Sequence, residues 1–63
     1  MKDYQERVVK ECDELQEKTS KLEKFFEGKA FSDMEITDQF LLKIQLDVMT
    51  TYLRILNQRI SRF

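Results

Sequence analysis

Few residue types in this sequence could carry out covalent chemistry. The 63 residues include one cysteine and no histidine, the most common general base in enzymes. Cys12 stands among apolar residues at helical spacing, where a thiol packs as a small hydrophobe. Adjacent acids such as Asp13 and Glu14 belong to a charged helix face, and one glycine cannot build a phosphate-binding loop. The sequence therefore predicts no catalytic residues and no enzyme.

Metal ions, cofactors, nucleic acids and membranes are also not expected as partners. A single cysteine without histidine cannot supply a zinc-ligand set or an internal disulfide. The formal net charge of −1 lacks the basic excess typical of DNA-binding proteins. No apolar run is long enough to cross a membrane, and the segment Met1–Tyr4 lacks the apolar core of a secretory signal. A free thiol fits a reducing cytoplasm.

Non-covalent ligand binding has better candidates. A nucleotide needs an apolar or aromatic face for its base and a cation or backbone donor for its phosphate. Phe31 lies close to Lys29 in a polar connection ahead of a helix N-terminus, where free N–H groups favour anions. Phe31 could instead close the end of the hairpin, and the residues alone favour that interpretation. Tyr4 could likewise stack on a ligand or cap the other end.

Two amphipathic helices must position these side chains, over about residues 3–27 and 36–62, with a loop over about 28–35. In each helix, apolar or small residues alternate at steps of four and three, the spacing of a seam packed against another helix. Glu14 with Lys18 and Glu17 with Lys21 are further expected to pair across one turn. The first seam comprises Val8, Cys12, Leu15, Thr19, Leu22 and Phe26, and the second Leu42, Leu46, Met49, Leu53, Leu56, Ile60 and Phe63. The fold predicted is all-α: one antiparallel two-helix hairpin domain.

The connection contains the only glycine and two candidate caps. Gly28 follows the first seam closely and is expected to end that helix in the left-handed conformation that glycine tolerates. Ser32, which has Glu35 three residues later, and Thr37 are alternative N-caps of the second helix.

The second helix has more apolar residues than one partner helix can cover. A helix that is apolar beyond a single stripe is buried on more than one side. A chain this short also rarely buries enough surface to be stable alone. We therefore expect the hairpin to assemble into a homo-oligomeric helical bundle. The predicted interface comprises Phe40, Leu41, Ile44, Val48, Tyr52 and Ile55.

The second helix is also the more basic half of the chain. Lys43, Arg54, Arg59 and Arg62 are balanced there by only Asp38 and Asp47. These cations could bind phosphate, or they could pair with the acidic first helix.

Several stretches resemble a family of very small phage proteins first noted in crAss-like phages. They are Tyr4-Gln5-Glu6-Arg7-Val8-Val9, Leu22-Glu23-Lys24-Phe25-Phe26 and the pattern Phe31, Met34, Asp38-Gln39, Leu41-Leu42, Gln45, Met49, Tyr52, Ile55-Leu56, Arg59-Ile60. The second half is similar to the helical-hairpin domain of phage anti-CBASS and anti-Thoeris proteins, which are sponges for the cyclic nucleotide signals of bacterial immunity. The resemblance covers nearly the whole chain.

This resemblance implies immune evasion in the host bacterial cytoplasm by a homo-oligomer, often a hexamer. It would hold a cyclic di- or trinucleotide, or a cyclic ADP-ribose-type ligand, in pockets between protomers without cleaving it. Phe31 would stack on a base and Lys43 would meet phosphate, with Gln45 in the neighbouring turn. Lys29 and Tyr4 complete the candidate ligand residues. The alternative function is a non-enzymatic oligomerisation or protein-interaction module.

Overall fold

The computed structural model describes all 63 residues as three helices and no strand. Helix α1 spans Asp3–Phe25, a one-turn helix α2 spans Lys29–Ser32, and α3 spans Ile36–Ser61. Near the two chain ends, Tyr4 packs edge-on against Phe63 with ring centroids 5.9 Å apart. Because the start of α1 meets the end of α3, the long helices are antiparallel. The prediction of an all-α hairpin is confirmed, and α2 is an addition to it.

The core is the predicted seam. Its buried residues are Val8, Cys12 and Leu15 of α1 with Leu53 and Leu56 of α3, and Met49 and Ile60 pack against them. Leu56 is the most deeply buried, with 0% of its surface exposed. The four-three spacing puts these side chains on one face of each helix, so packing follows from the period. The remaining apolar seam residues lie outside this cluster: Leu22, Phe26, Leu42 and Leu46 are half-buried, and the chain-terminal Phe63 is 41% exposed.

Polar groups in this seam are satisfied locally. Thr19 is only 2% exposed, and its Oγ1 donates to the Leu15 carbonyl at 2.8 Å, one turn back along α1. A threonine hydroxyl bonded this way needs no partner from the other helix. Asn57 donates its amide N–H to the Leu53 carbonyl at 3.0 Å, and its Oδ1 accepts a weak bond from the Cys12 thiol at 3.6 Å.

The connection between the helices differs from the predictions in two ways. Gly28 has φ −95° and ψ 166°, an extended conformation, and it precedes α2 rather than ending α1 with a positive φ. Helix α1 ends one residue before Phe26, which is still right-handed. Neither Ser32 nor Thr37 caps α3: its N-cap is Glu35, which makes no side-chain capping bond. The Ser32 hydroxyl instead donates to the Lys29 carbonyl at 2.9 Å.

The ion pairs are few and local. Lys21 and Glu17 lie 3.2 Å apart on α1, as predicted, whereas Glu14 and Lys18 form no ion pair. The other pair lies within the connection. No ion pair joins α1 to α3, so the alternative in which the basic second helix pairs with the acidic first one is not observed.

The hairpin is elongated and leaves much surface uncovered. Its extents are 45 × 15 × 14 Å and its radius of gyration is 14.5 Å, against about 11 Å for a compact domain of this length. Its accessible surface is 5085 Å², against about 4,300 Å² for a compact monomer of this mass. Only 6 of the 63 residues are buried, so one hairpin buries little of its apolar surface. No helix combines the length and the hydropathy needed to span a membrane.

Candidate functional site

Three phenylalanines form a cluster where the hairpin turns. Phe31, on α2, is half-buried and lies 4.7 Å from Phe26 between ring centroids, tilted by 47°. Its other neighbour is Phe25, met edge-on at 6.2 Å. Such geometries are favourable for aromatic pairs. Phe31 therefore packs onto the end of α1, as a plug would, and is half-buried there, while Phe25 stays 39% exposed.

Gln39 holds the turn that carries this cluster. It lies in the first turn of α3, and its Nε2 donates to the carbonyls of Phe31 at 2.9 Å, Met34 at 3.1 Å and Ser32 at 3.3 Å. One amide group thereby bonds carbonyls at the end of α2 and in the turn, of which that of Phe31 also accepts the Met34 N–H at 3.1 Å. Gln39 fixes the backbone of Phe31 relative to α3.

The basic candidates differ in their surroundings. Lys29 is exposed, and its Nζ lies 3.0 Å from a carboxylate oxygen of Asp33, one turn away. Lys43 is exposed and lies within 4.0 Å of no carboxylate. Gln45 is exposed, with only a 3.9 Å contact to the Met49 sulfur. Lys29 is the basic candidate closest in sequence to the phenylalanine cluster.

Tyr4 lies at the opposite end of the molecule from Phe31. Tyr4 is the second residue of the 23-residue helix α1 and Phe31 lies beyond its far end, so at about 1.5 Å per residue the helix separates them by roughly 30 Å. Tyr4 packs on Phe63, as a capping side chain would. The two predicted stacking residues therefore cannot line one pocket within a single chain.

The predicted oligomer interface is exposed in the single hairpin. All six of its side chains are between 42% and 63% exposed. They occupy a face of α3 centred roughly 130° around the helix axis from the seam. A shallow groove of about 390 Å³ runs along this face and is lined by Asp47, Val48, Thr51, Tyr52 and Ile55. We call this surface, made of Phe40, Leu41, Ile44, Val48, Tyr52 and Ile55, the second face of α3. Its exposure is a finding, and its coverage by other copies stays a prediction.

The cations of α3 are free within the chain. None of Arg54, Arg59 and Arg62 lies within 4.0 Å of a carboxylate. Arg59 stands in the last turn of α3 and Arg62 caps it. Both are close to the carboxyl end of a helix, where positive charge is stabilised. They are available to an external anion.

Sequence reasoning did not single out Gln39 or Phe25 as site residues, and it named the two C-terminal arginines only among the cations that could bind phosphate or pair with the first helix. For Gln39 the available signal was its position in the first turn of the second helix, after a polar connection, where a side-chain amide can reach backbone carbonyls. For Phe25 the signal was its adjacency to a seam phenylalanine at the helix end. Neither signal identifies a site residue unless the path of the backbone through the turn is known.

Comparison with known proteins identifies a family. No curated protein and no solved structure matches this sequence. The family described as Sequestin matches residues 2–62. That range includes both long helices, the phenylalanine cluster and the second face of α3. The chain therefore belongs to the Sequestin family.

Proposed function

We propose that this protein is a phage anti-defence sponge that binds a cyclic nucleotide immune signal tightly and does not cleave it. The observation that carries the proposal is membership in a family named for sequestration, over residues 2–62. The chemistry of the chain is compatible with it, because a sponge needs affinity and no turnover. The ligand class is a cyclic di- or trinucleotide or a cyclic ADP-ribose-type molecule, and the site of action is the host bacterial cytoplasm.

The binding pocket is proposed to lie between protomers. A ligand pocket of ordinary size buries most of its ligand, which needs walls on several sides. The hairpin is only two helices thick, 15 × 14 Å in cross-section, and its surface depressions are shallow. A second chain would supply the missing walls. Pockets preformed by packed helices would also limit the ordering cost of binding.

Within that pocket, Phe31 is proposed to stack on a base and Lys29 to approach phosphate. Their separate contacts in the free chain do not prevent this role. The phenylalanine cluster is partly exposed, and the Lys29–Asp33 pair is solvent-exposed, so little free energy is needed to open it. Tyr4, Lys43 and Gln45 are secondary candidates, and Tyr4 could reach such a pocket only from another chain.

The test is a thermal-shift and calorimetry panel of cyclic dinucleotides, cyclic trinucleotides and cyclic ADP-ribose isomers. A ligand that binds only the folded state raises its stability by about 2.7 kcal/mol at 100 times its Kd. We expect one class to raise Tm and to be recovered intact, by mass spectrometry, after the protein is denatured. A panel without any shift, or a recovered ligand that has been hydrolysed, would contradict the proposal.

Two substitutions locate the site. Phe31→Leu keeps an apolar plug but removes the π-face, so binding should weaken while helicity and mass are retained. Lys29→Gln should weaken binding as well, whereas Lys18→Gln, which removes a charge from the exposed surface of α1, should not. If both lysine variants weaken binding equally, the effect comes from the general charge of the protein and not from a specific contact with Lys29.

A protein-interaction module is the second candidate, and the second face of α3 is the observation that favours it. An exposed apolar face of this extent normally marks an interface. If that face bound a host protein rather than another copy, the purified chain would remain monomeric at micromolar concentration. Sedimentation equilibrium distinguishes the two cases.

A further inference from the structure

The second face of α3 has an internal symmetry. Five of its residues, Leu41, Ile44, Val48, Tyr52 and Ile55, follow each other at steps of three, four, four and three. This spacing reads the same in both directions from Val48. In an isologous dimer, residue i of one chain contacts residue j of the other, and residue j contacts residue i in return. Spacing that is the same in both directions along a helix suits such a two-fold axis. An antiparallel α3 pair centred on Val48 would set Leu41 against Ile55, and Ile44 against Tyr52, of the two chains.

Charge favours the antiparallel direction over the parallel one. Asp38 lies at the start of α3 and Arg59 in its last turn, and both are exposed. With Val48 at the axis, Arg59 of the partner subunit falls one position from Asp38. A parallel pair would place Arg59 beside its own copy and would align the two helix dipoles. Antiparallel pairing therefore converts repulsion at both ends into attraction.

The uncovered area has the size that a second copy would fill. The hairpin exposes 5085 Å², which exceeds the surface of a compact monomer of its mass by roughly 750 Å². A stable interface of standard size removes about 800 Å² from each partner. The second face carries six large apolar side chains at 42–63% exposure, and it is the apolar surface that such an interface would bury.

The same register brings together groups that one chain keeps apart. Position 62 of the partner subunit falls opposite Met34, in the turn between α2 and α3. The phenylalanine cluster of one chain then lies beside Arg62 of the partner subunit, whose guanidinium has no carboxylate within 4.0 Å in its own chain. A flat base and a phosphate ester would find an aromatic face and a free guanidinium at each end of the dimer.

We propose that two chains pair through the second face of α3 in an antiparallel, Val48-centred dimer, and that Arg62 of one chain completes the ligand site at Phe31 of the other. The inference rests on the proposed sponge function for its ligand, but not for the pairing. The pairing can be tested without any ligand, so that the two can fail separately.

The first test is disulfide cross-linking of mixed variants that each carry one added cysteine beside the buried Cys12. Leu41→Cys mixed with Ile55→Cys, co-refolded and oxidised mildly, should give a covalent dimer joining the two different chains. Ser32→Cys mixed with Arg62→Cys should give a second one, detected with a short thiol cross-linker. The parent chain is the control, because its only thiol, Cys12, is buried. Cross-links within the unmixed variants, at 41–41 and 55–55, indicate parallel pairing and overturn the proposal, as does the absence of any cross-link.

The second test asks whether the two chains share a site, using the cyclic nucleotide panel described above as probes. Phe31→Leu and Arg62→Gln should each lose at least tenfold in affinity. When the two variants are co-refolded, half of the dimers are mixed and each carries one intact site. The mixture should then regain parental affinity at about a quarter of the parental sites, since a two-fold dimer has two. If the mixture stays at the affinity of the variants, Arg62 does not complete the site.

If no probe binds the parent chain, the sponge function and the shared ligand site are both refuted. The 41–55 cross-link still decides the pairing in that case. A cross-link with normal binding by Arg62→Gln would support the dimer and would remove Arg62 from the site.

Discussion

The substitution Gln39→Glu replaces the side-chain NH2 group by oxygen. Gln39 is the residue of α3 whose side chain is hydrogen-bonded to the backbone of the turn. The Gln39 amide has two hydrogens and donates to three carbonyls at 2.9, 3.1 and 3.3 Å. Two full hydrogen bonds are therefore the most it can make, and one of them is shared. A glutamate carboxylate cannot donate, and its oxygens would face the same carbonyl oxygens. The substitution thus removes the tie without changing the shape of the side chain.

The size of the effect follows from this geometry. Each hydrogen bond contributes a net of about 0.5–1.5 kcal/mol, so two amount to about 1–3 kcal/mol. The new negative charge lies in the first turn of a helix, where it stabilises the folded state by about 0.3–1 kcal/mol and offsets part of this loss. We expect a net loss of about 1–2 kcal/mol in the free energy of unfolding. For a domain of this size that corresponds to a decrease in Tm of roughly 4–15 °C.

The assay is thermal and urea unfolding followed by circular dichroism, at one fixed protomer concentration because assembly would contribute to stability. Gln58→Glu is the control: it makes the same atomic exchange on an exposed residue of α3 whose side chain makes no hydrogen bond. The control should change stability by less than about 0.5 kcal/mol. Equal effects at positions 39 and 58 would show that the three carbonyls do not depend on Gln39, and would refute its role in holding the turn.

Three further predictions concern the core and the surface. Leu56→Ala should destabilise the protein by about 2–5 kcal/mol in urea unfolding, since this fully buried side chain leaves a cavity. The adjacent Ile55→Ala should change the free energy of unfolding little in an isolated hairpin. If copies cover the second face, it should lower both the stability and the measured mass. A loss of stability that does not vary with protein concentration would argue against that coverage. Lys21→Gln, which breaks the exposed pair with Glu17, should change the free energy of unfolding by less than about 0.5 kcal/mol, and a larger change would mean that this pair is not solvated as the structure has it.

Periodicity was sufficient to predict the two long helices and their packing. The four-three spacing of residues such as Val8, Cys12, Leu53 and Leu56 is a local property of the chain, and a helix converts it directly into one buried face. The same reasoning predicted an apolar second face on α3, and Val48 and its neighbours are exposed as expected of a single hairpin. A regular period leaves few ways to orient a helix.

The connection required the tertiary structure. Gly28 suggested that α1 ends in the left-handed conformation, but its backbone is extended and the short helix α2 follows it. No apolar periodicity in the sequence predicts α2. The turn is held by Gln39, eight residues beyond Phe31, through carbonyls that the sequence does not mark. Which backbone groups remain unsatisfied depends on where helices end, and a side chain from another element then decides the path.

The candidate site shows the same division. Residue types alone identified aromatic and basic groups suited to a nucleotide, including Phe31, Lys29 and Tyr4. Their placement was decided by the length of α1, which puts Tyr4 and Phe31 at opposite ends, and by helix packing, which leaves Arg59 and Arg62 unpaired. Composition and spacing determine which groups a helix carries and on which face. Distances between groups on different helices depend on helix length, direction and partner chains, and these are properties of the folded and assembled molecule.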